Sequence, residues 1–134
     1  MDAAQALADL TEISSQVVQV AIADADGQVL ASTIDDPGRA ERFVAGVREL
    51  LDDAERLGQS RGLPGVAQLE AATLEGSIFV VRREGRLVAA TTRPDPTVGL
   101  VFYDLKHCLR SIEDAPAKPA ARPRTRRKAA DASS

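Results

Sequence analysis

The sequence has little of several residue types that build particular kinds of site. Tryptophan is absent, aromatic residues make up 3% of the 134 residues, and there is one cysteine and one histidine. A single cysteine excludes a disulfide within the chain and a multi-cysteine metal site, and a single histidine excludes a site with several histidine ligands. We therefore expect a core of Leu, Val, Ile and Ala, and no cofactor or metal ion.

Long apolar runs are also missing. No run approaches the roughly 18 residues that cross a bilayer. Residues 1–4 carry none of the positive charge that begins a secretory signal. A chain of 134 residues fits one domain with an ordinary core. We therefore expect a cytoplasmic, single-domain protein that does not span a membrane.

Charge is divided unevenly along the chain. Residues 1–114 hold eleven bases and nineteen acids, net −8, whereas residues 115–134 hold six bases and one acid, net +5. The six bases are Lys118, Arg122, Arg124, Arg126, Arg127 and Lys128. Because Pro, Ala and Arg dominate this tail, it cannot bury enough apolar surface to fold. We predict one folded domain, residues 1–114, and a disordered basic tail, residues 115–134.

Periodicity and turn residues predict the first half of the fold. Residues 3–14 show the spacing of an amphipathic helix, and two strands, 16–23 and 28–33, meet at Asp26-Gly27, a pair that favours tight hairpins. Asp36-Pro37 then opens a long helix that ends at Gly58. The outer face of this helix is predicted to carry charged residues: Arg39, Glu41, Arg42, Glu49, Asp52, Asp53, Glu55 and Arg56.

Three further strands and a last helix follow. Glu75-Gly76 and Glu84-Gly85 separate strands 66–74, 77–83 and 86–92, and Asp95-Pro96 repeats the aspartate–proline pair that opens a helix. The element order is therefore α-β-β-α-β-β-β-α. This order predicts an α+β sandwich in which the long helix covers one face of a five-stranded antiparallel sheet.

Candidate catalytic groups are few. His107 lies off the apolar stripe of the last helix and is expected in solvent, whereas Cys108 lies on the stripe and is expected in the core. The neighbouring carboxylates of Asp52 and Asp53 point apart and form no acid–base pair. No glycine-rich loop precedes a Lys-Ser or Lys-Thr pair. We therefore predict that the protein is not an enzyme.

Two features predict an interaction surface. Strand 66–73 carries small alanines, which suit an open edge that pairs with another strand, although an interior strand fits the same pattern. Gly46 in the long helix costs about 1 kcal/mol relative to alanine, which a close helix–helix contact would offset, although a tolerated imperfection is equally compatible. The candidate dimer-interface residues are Val66, Gln68, Leu69, Glu70, Ala72, Ala45 and Gly46.

The ordered combination of three segments resembles the roadblock/LC7 domain, a profilin-like α+β fold, over most of residues 5–114. VVQVAIADADGQVLAS (residues 17–32) resembles the first hairpin of that family, and residues 39–58 resemble its long second helix. LEGSIFVVRREGRLVAATTRPDPTVGLVFYDL (residues 74–105) resembles its last hairpin and third helix, with GLVFYDL most like bacterial members. The resemblance implies a homodimer, joined through third strands and second helices, that regulates or scaffolds a small Ras-like GTPase.

The basic tail departs from the pattern of that family and supports an alternative function. The chain would then be a dimeric adaptor whose tail binds nucleic acid or another anionic surface. Binding would be independent of sequence, because the tail has no aromatic residue to stack on bases. A solvated tail that contacts the acidic body or nothing fits the same composition. A small-molecule sensor is less favoured, because no polar groups are predicted to converge in the core.

Overall fold

The computed structural model describes residues 1–112, so the predicted tail, including all six of its bases, lies outside the described residues. The described chain forms three helices and five strands in the predicted order. The elements are α1 (Ala3–Ile13), β1 (Val17–Asp24), β2 (Val29–Ser32), α2 (Pro37–Ser60), β3 (Gln68–Thr73), β4 (Gly76–Arg83), β5 (Arg86–Thr92) and α3 (Val98–Ser111).

The strands of the described chain form one antiparallel sheet in the order β2-β1-β5-β4-β3. The first and last strands of the sequence are therefore neighbours in the middle of the sheet, while β2 and β3 are its edges. β2 has four residues, and its pairing with β1 shifts register between Ile22 and Ala23. The two edges thus differ, since β3 is longer and pairs regularly with β4.

Alternation of side chains along the strands divides the core into two layers. On one face, Ile22 and Phe79 pack with Leu10 of α1 and Leu105 of α3. On the other face, the sheet meets α2 through a second cluster of Ala21, Ala23, Val44, Val47, Leu51, Val80, Leu87 and Ala89. The molecule is therefore a three-layer α+β sandwich, with α2 on one side and α1 with α3 on the other. None of the helices in residues 1–112 combines the length and apolar character that a membrane crossing requires.

The two aspartate–proline pairs behave differently. The Asp36 carboxylate accepts a 2.9 Å hydrogen bond from the Gly38 N–H and caps α2, as predicted. The prediction for Asp95 is wrong, because α3 begins at Val98 and its N-cap is Thr97. Asp95 has a φ of 59°, which places it in a turn before the helix. The Thr97 N–H donates instead to Oε1 of Gln16, at 2.7 Å.

The end predicted for α2 is also wrong. Gly58 lies inside the last turn, and the helix continues to Ser60. The chain then reverses at Gly62, whose φ is 75°, and the Leu63 N–H donates to the Gly58 carbonyl at 2.7 Å. A Cβ at residue 58 would clash with the Leu63 carbonyl oxygen. Glycine is needed there for the return of the loop against the helix.

Candidate interaction surface

Strand β3 lies at an edge of the sheet, which is one of the two positions that its small residues left open. The Ala67 carbonyl accepts a 2.8 Å hydrogen bond from the Arg82 N–H at the start of the β3–β4 pairing. Because ladder bonds alternate along an antiparallel pair, odd-numbered residues of β3 direct their main-chain groups at β4. The even-numbered residues direct theirs to the open edge, and these are Gln68, Glu70 and Ala72.

The side chains of β3 divide between the two faces of the sheet. Leu69 and Ala71 are half-buried, and Leu69 packs on the α2 side with the second core cluster. The side chains of Gln68, Glu70 and Ala72 lie on the opposite face and are exposed. The candidate interface residue Val66 precedes the strand, which begins two residues later than predicted.

A shallow groove of about 400 Å³ lies on the α2 side of the sheet, beside β3. Val18, Thr73, Ile78 and Thr91 line it at the end of the sheet where β1 begins and β3 ends. Val18 is 50% exposed, since it lies where the pairing of β1 with β5 shifts register. This part of the sheet face is left uncovered by α2.

One flank of α2 presents exposed apolar side chains. Gly46, Leu50 and Leu57 recur at spacings of four and seven residues, which places them on one side of the helix. Leu57 is 65% exposed, and a Cβ on Gly46 would meet no other atom within 4 Å. Ala45 beside it is also exposed. No other part of the described protomer packs closely on this flank at Gly46.

The orientation of α2 turns this flank toward the groove. Arg48 lies on the opposite flank and donates hydrogen bonds to the main-chain carbonyls of Ala25 and Asp26, at 3.2 and 2.8 Å. These carbonyls lie in the β1–β2 turn, at the end of the sheet away from the groove. The Gly46–Leu50–Leu57 flank therefore faces the end of the sheet that α2 leaves uncovered.

Glu55 links α2 to the chain that enters β3. Its Oε2 accepts from the Gly65 N–H at 2.8 Å, and its Oε1 accepts from the Val66 N–H at 2.8 Å and from Nη2 of Arg82 at 3.1 Å. The hydrogen bonds from Gly65 and Val66 hold the pKa of Glu55 below its ordinary value of 4.5, and the nearby Arg82 adds to this effect. Ionised Glu55 thus ties the α2–β3 loop to the helix.

Arg82 completes this arrangement. Its Nη2 and Nε donate to the Val66 carbonyl at 2.7 and 3.1 Å. Both main-chain polar groups of Val66 are therefore bound by side chains of the same protomer. We call Glu55, Arg82 and the main chain of Gly65 and Val66 the β3 clamp.

The sequence pattern does not predict the β3 clamp. The sequence pattern predicts Glu55 on the outer, charged face of α2, but the side chain is half-buried and turned toward the α2–β3 loop. Its main partners are two backbone N–H groups, and a side-chain pattern carries no signal for them. A helix position adjoining the apolar stripe, followed by a glycine-rich loop, is the only hint that the sequence offers.

The groups considered for catalysis lie as predicted. His107 is exposed, and Cys108 is buried with its Sγ donating to the Ala6 carbonyl at 3.6 Å. Burial raises the pKa of the Cys108 thiol to about 11, so it is protonated at neutral pH. Within residues 1–112, no three His, Cys, Asp or Glu side chains group closely enough to hold a metal ion.

A polar depression of about 280 Å³ lies at the other end of the sheet. Arg48, Arg82 and Arg86 contribute to its wall together with Asp24 and Asp52. Arg48 and Arg82 are bound to main-chain carbonyls, and Asp24 accepts from the N–H groups of Asp26 and Gln28. These three side chains are therefore engaged in holding turns and the entry to β3 in place.

The candidate residues thus fall on two exposed elements. Gln68, Leu69, Glu70 and Ala72 share the open strand, whereas Ala45 and Gly46 lie on the exposed side of α2. Val66 is held in the β3 clamp. Their part in a dimer interface stays a prediction.

The sequence matches no protein-family model and no curated protein. Among solved structures, the chain is similar to a roadblock/LC7 domain from Streptomyces avermitilis, with 18% identity and a TM-score of 0.74 over 83% of this chain and 94% of that one. It is also similar to the gliding protein MglB from Thermus thermophilus, with 15% identity and a TM-score of 0.67 over 79% of this chain and 82% of that one.

A more distant similarity links the chain to the structure of LokiProfilin2 in complex with rabbit actin. The identity is 14% and the TM-score 0.53, over 79% of this chain and 91% of that one. Because the identities are only 14–18%, these similarities establish the fold alone. The described chain therefore has the roadblock/LC7 fold, which is profilin-like, and the resemblance seen in the sequence is confirmed at this level.

Proposed function

We propose that the chain is a non-catalytic homodimer of the roadblock/LC7 family that regulates or scaffolds a small Ras-like GTPase in the cytoplasm. One observation carries this proposal: the fold brings the open β3 edge, the uncovered groove and the apolar flank of α2 onto one side of the sheet. A second copy of the chain offers the same features in return, so a twofold interface would cover all three in both copies.

The strand edge is the part that most needs a partner. Gln68, Glu70 and Ala72 direct unpaired main-chain groups outward from a regular strand, and such an edge readily pairs with another strand. The apolar flank of α2 would add the side-chain burial that a few main-chain hydrogen bonds do not supply. Both elements are those through which roadblock homodimers join, according to the resemblance.

The GTPase partner is inferred from family resemblance, and fold alone does not transfer function. The sequence has no phosphate-binding loop of its own, which agrees with a nucleotide held by the partner. The charged outer side of α2, with Arg42, Glu49 and Arg56, offers a polar surface on which a partner would dock.

Sedimentation equilibrium of the full chain tests the dimer. We expect a concentration-dependent monomer–dimer equilibrium. Ala72→Pro should shift it to monomer, because proline removes an N–H that faces the open edge and takes part in no bond to β4. Circular dichroism should show that this variant keeps its fold. Ala71→Pro is the contrasting variant, since its N–H faces β4 and its loss should impair folding.

Nucleotide-dependent binding tests the partner. Small GTPases from the same cell, loaded with GDP or a non-hydrolysable GTP analogue, would be passed over the immobilised chain, and GTP hydrolysis and nucleotide exchange would be measured with and without it. We expect binding that depends on the nucleotide. A dimer that binds none of these GTPases in either state would contradict the regulatory role.

The tail supports a second candidate function, which rests on its sequence alone. Six bases within residues 118–128 would contact phosphates, so binding to DNA should weaken steeply as salt rises. Retention of the full chain on DNA would be compared with a variant whose six tail bases are glutamine. Equal retention by the two proteins at low salt would contradict this function.

A further inference from the structure

We propose that two β3 edges pair in a single antiparallel register centred on Glu70, and that the Glu70 carboxylate limits how tightly the two copies bind. This inference rests on the proposed homodimer. It makes Glu70 a residue that sets the strength of self-association, a role that neither its exposure nor its charge alone indicates.

The alternation of hydrogen bonds restricts the possible registers. In an antiparallel pair, residues that face each other must both direct their main-chain groups at the partner or both direct them away. Even-numbered residues of β3 direct theirs outward, so in a twofold pairing each even residue must oppose an even residue. The residue on the twofold axis is therefore Leu69, Glu70 or Ala71 for registers that overlap most of the strand.

The β3 clamp limits the edge at its beginning. Val66 is the next even-numbered residue before Gln68, but Glu55 accepts from its N–H and Arg82 donates to its carbonyl. The strand ends at Thr73, where the turn of Leu74 and Glu75 leads into β4. Three residues are thus left with both main-chain groups free of β4 and of the clamp: Gln68, Glu70 and Ala72.

Only the register centred on Glu70 uses all three residues in both copies. It opposes Gln68 to Ala72 of the second copy, Glu70 to Glu70 and Ala72 to Gln68, which allows six main-chain hydrogen bonds. An axis at Leu69 or Ala71 leaves one of the three residues without a strand partner and allows four. The register centred on Glu70 also opposes Leu69 to Ala71 of the second copy on the α2 side, which pairs a large side chain with a small one.

The same register places two carboxylates directly opposite each other. Like charges in facing positions of a sheet destabilise the pairing. Both Glu70 side chains are exposed, so water screens them and they can splay apart, and this repulsion is smaller than the loss of two hydrogen bonds. The register therefore survives, but the interface is weaker than its hydrogen bonds alone would make it.

Glu70→Gln tests the effect of the charge. The amide keeps the size of the side chain and removes the repulsion, so the dimer dissociation constant should fall about two- to fivefold at low salt. The difference between the variant and the original chain should shrink in high salt, because salt screens exposed charges. Glu12→Gln is the matched control, since Glu12 is exposed on α1, which packs beside the opposite edge strand β2.

Cysteine cross-linking tests the register with Glu70 in place. Gln68 and Ala72 are exposed, so the double variant Gln68→Cys, Ala72→Cys should fold, and the native Cys108 is buried. In the register centred on Glu70, the cysteine at position 68 of each copy faces the cysteine at position 72 of the other copy. Mild oxidation should then give a covalent dimer of the double variant and little of either single variant.

The outcomes separate this inference from the proposed function. A dimer whose affinity is unchanged or reduced by Glu70→Gln, or whose double variant fails to cross-link while single cysteines at Leu69 or Ala71 do, overturns the inference and leaves the homodimer standing. A chain that stays monomeric at high concentration, with or without Glu70→Gln, overturns the homodimer and the inference together.

Discussion

At the scale of single residues, several polar side chains hold loops in place by hydrogen bonding to main-chain groups. Glu55 accepts hydrogen bonds from two backbone N–H groups, and Arg82 and Arg48 donate to backbone carbonyls. Gln16 accepts from the N–H of Thr97, the N-cap residue of α3. These bonds fix loops whose own residues have little apolar surface. Through these bonds Glu55 and Arg82, which are far apart in the sequence, hold the same loop in place.

The pKa of Glu55 predicts how the β3 clamp responds to acid. Because the folded-state pKa lies below 4.5, the clamp contributes fully to stability above the ordinary value, and its contribution is lost as pH falls through the lower folded pKa. Glu55→Gln should therefore be less stable than the original chain at pH 7, and the difference should shrink in acid. Urea unfolding of both proteins between pH 7 and pH 3 measures it.

Hydrogen exchange provides a local readout for the same variant. The Gly65 and Val66 amides should lose protection in Glu55→Gln, while amides of β1 and β5 in the middle of the sheet keep theirs. Unchanged protection at Gly65 and Val66 would contradict the role given to the clamp.

Two glycines of α2 should respond in opposite ways to alanine. Gly58→Ala should lower the free energy of unfolding by about 1–3 kcal/mol, because the new Cβ clashes with the Leu63 carbonyl. Gly46→Ala should raise it by about 1 kcal/mol, because residue 46 has open space around it within the protomer. Denaturant unfolding at concentrations below self-association measures both. Stabilisation by Gly58→Ala would mean that the loop does not return against the helix.

At the scale of elements, α2 carries apolar residues on two sides, one buried against the sheet and one exposed. One side packs Val44, Val47 and Leu51 on the sheet, and the Gly46–Leu50–Leu57 flank stays exposed. A helix that served only the core would not need exposed leucines on a second side, although scattered exposed apolar residues are common. The proposed dimer gives this flank a partner in the second copy.

Leu57→Glu tests that flank. The side chain is 65% exposed, so the fold should tolerate the charge, whereas burial of that charge against a second copy should weaken the dimer about tenfold or more. Leu100→Glu is the control, because Leu100 is 49% exposed on α3, on the other side of the sheet. Equal weakening by both variants in sedimentation experiments would point to a general effect of charge.

At the scale of the whole molecule, Cys108 reports on the integrity of the core. The thiol lies between α1 and α3, and its pKa of about 11 keeps it protonated at pH 8. Alkylation of the native protein should therefore be slower than that of the unfolded chain by at least about 1000-fold, since it requires opening of the core. Rapid alkylation in native buffer would show that α1 separates easily from α3.

A structural feature could be predicted from the sequence when the residues that form it lie close together along the chain. The Asp26-Gly27 turn and the Asp36 cap were predicted correctly, because the groups that stabilise them lie within a few residues. The role of Gly58, the N-cap of α3 at Thr97 and the role of Glu55 were not predicted, because they depend on contacts that exist only after folding. Gly58 lies against Leu63, the Thr97 N–H donates to Gln16, and Glu55 accepts from Gly65. The small side chains of β3 fitted an edge strand and an interior strand alike, and the alternation of its main-chain hydrogen bonds became known only from its pairing with β4.

The inequality of the two sheet edges has a consequence for growth of an assembly. If two β3 strands join, the combined sheet has ten strands, and each of its free ends is a β2 strand. Each β2 has four residues and pairs with β1 across an irregularity, so it makes a poor template for another strand. Addition of strands would then stop at two chains, and the molecule would resist polymerising into fibres without needing a separate cap.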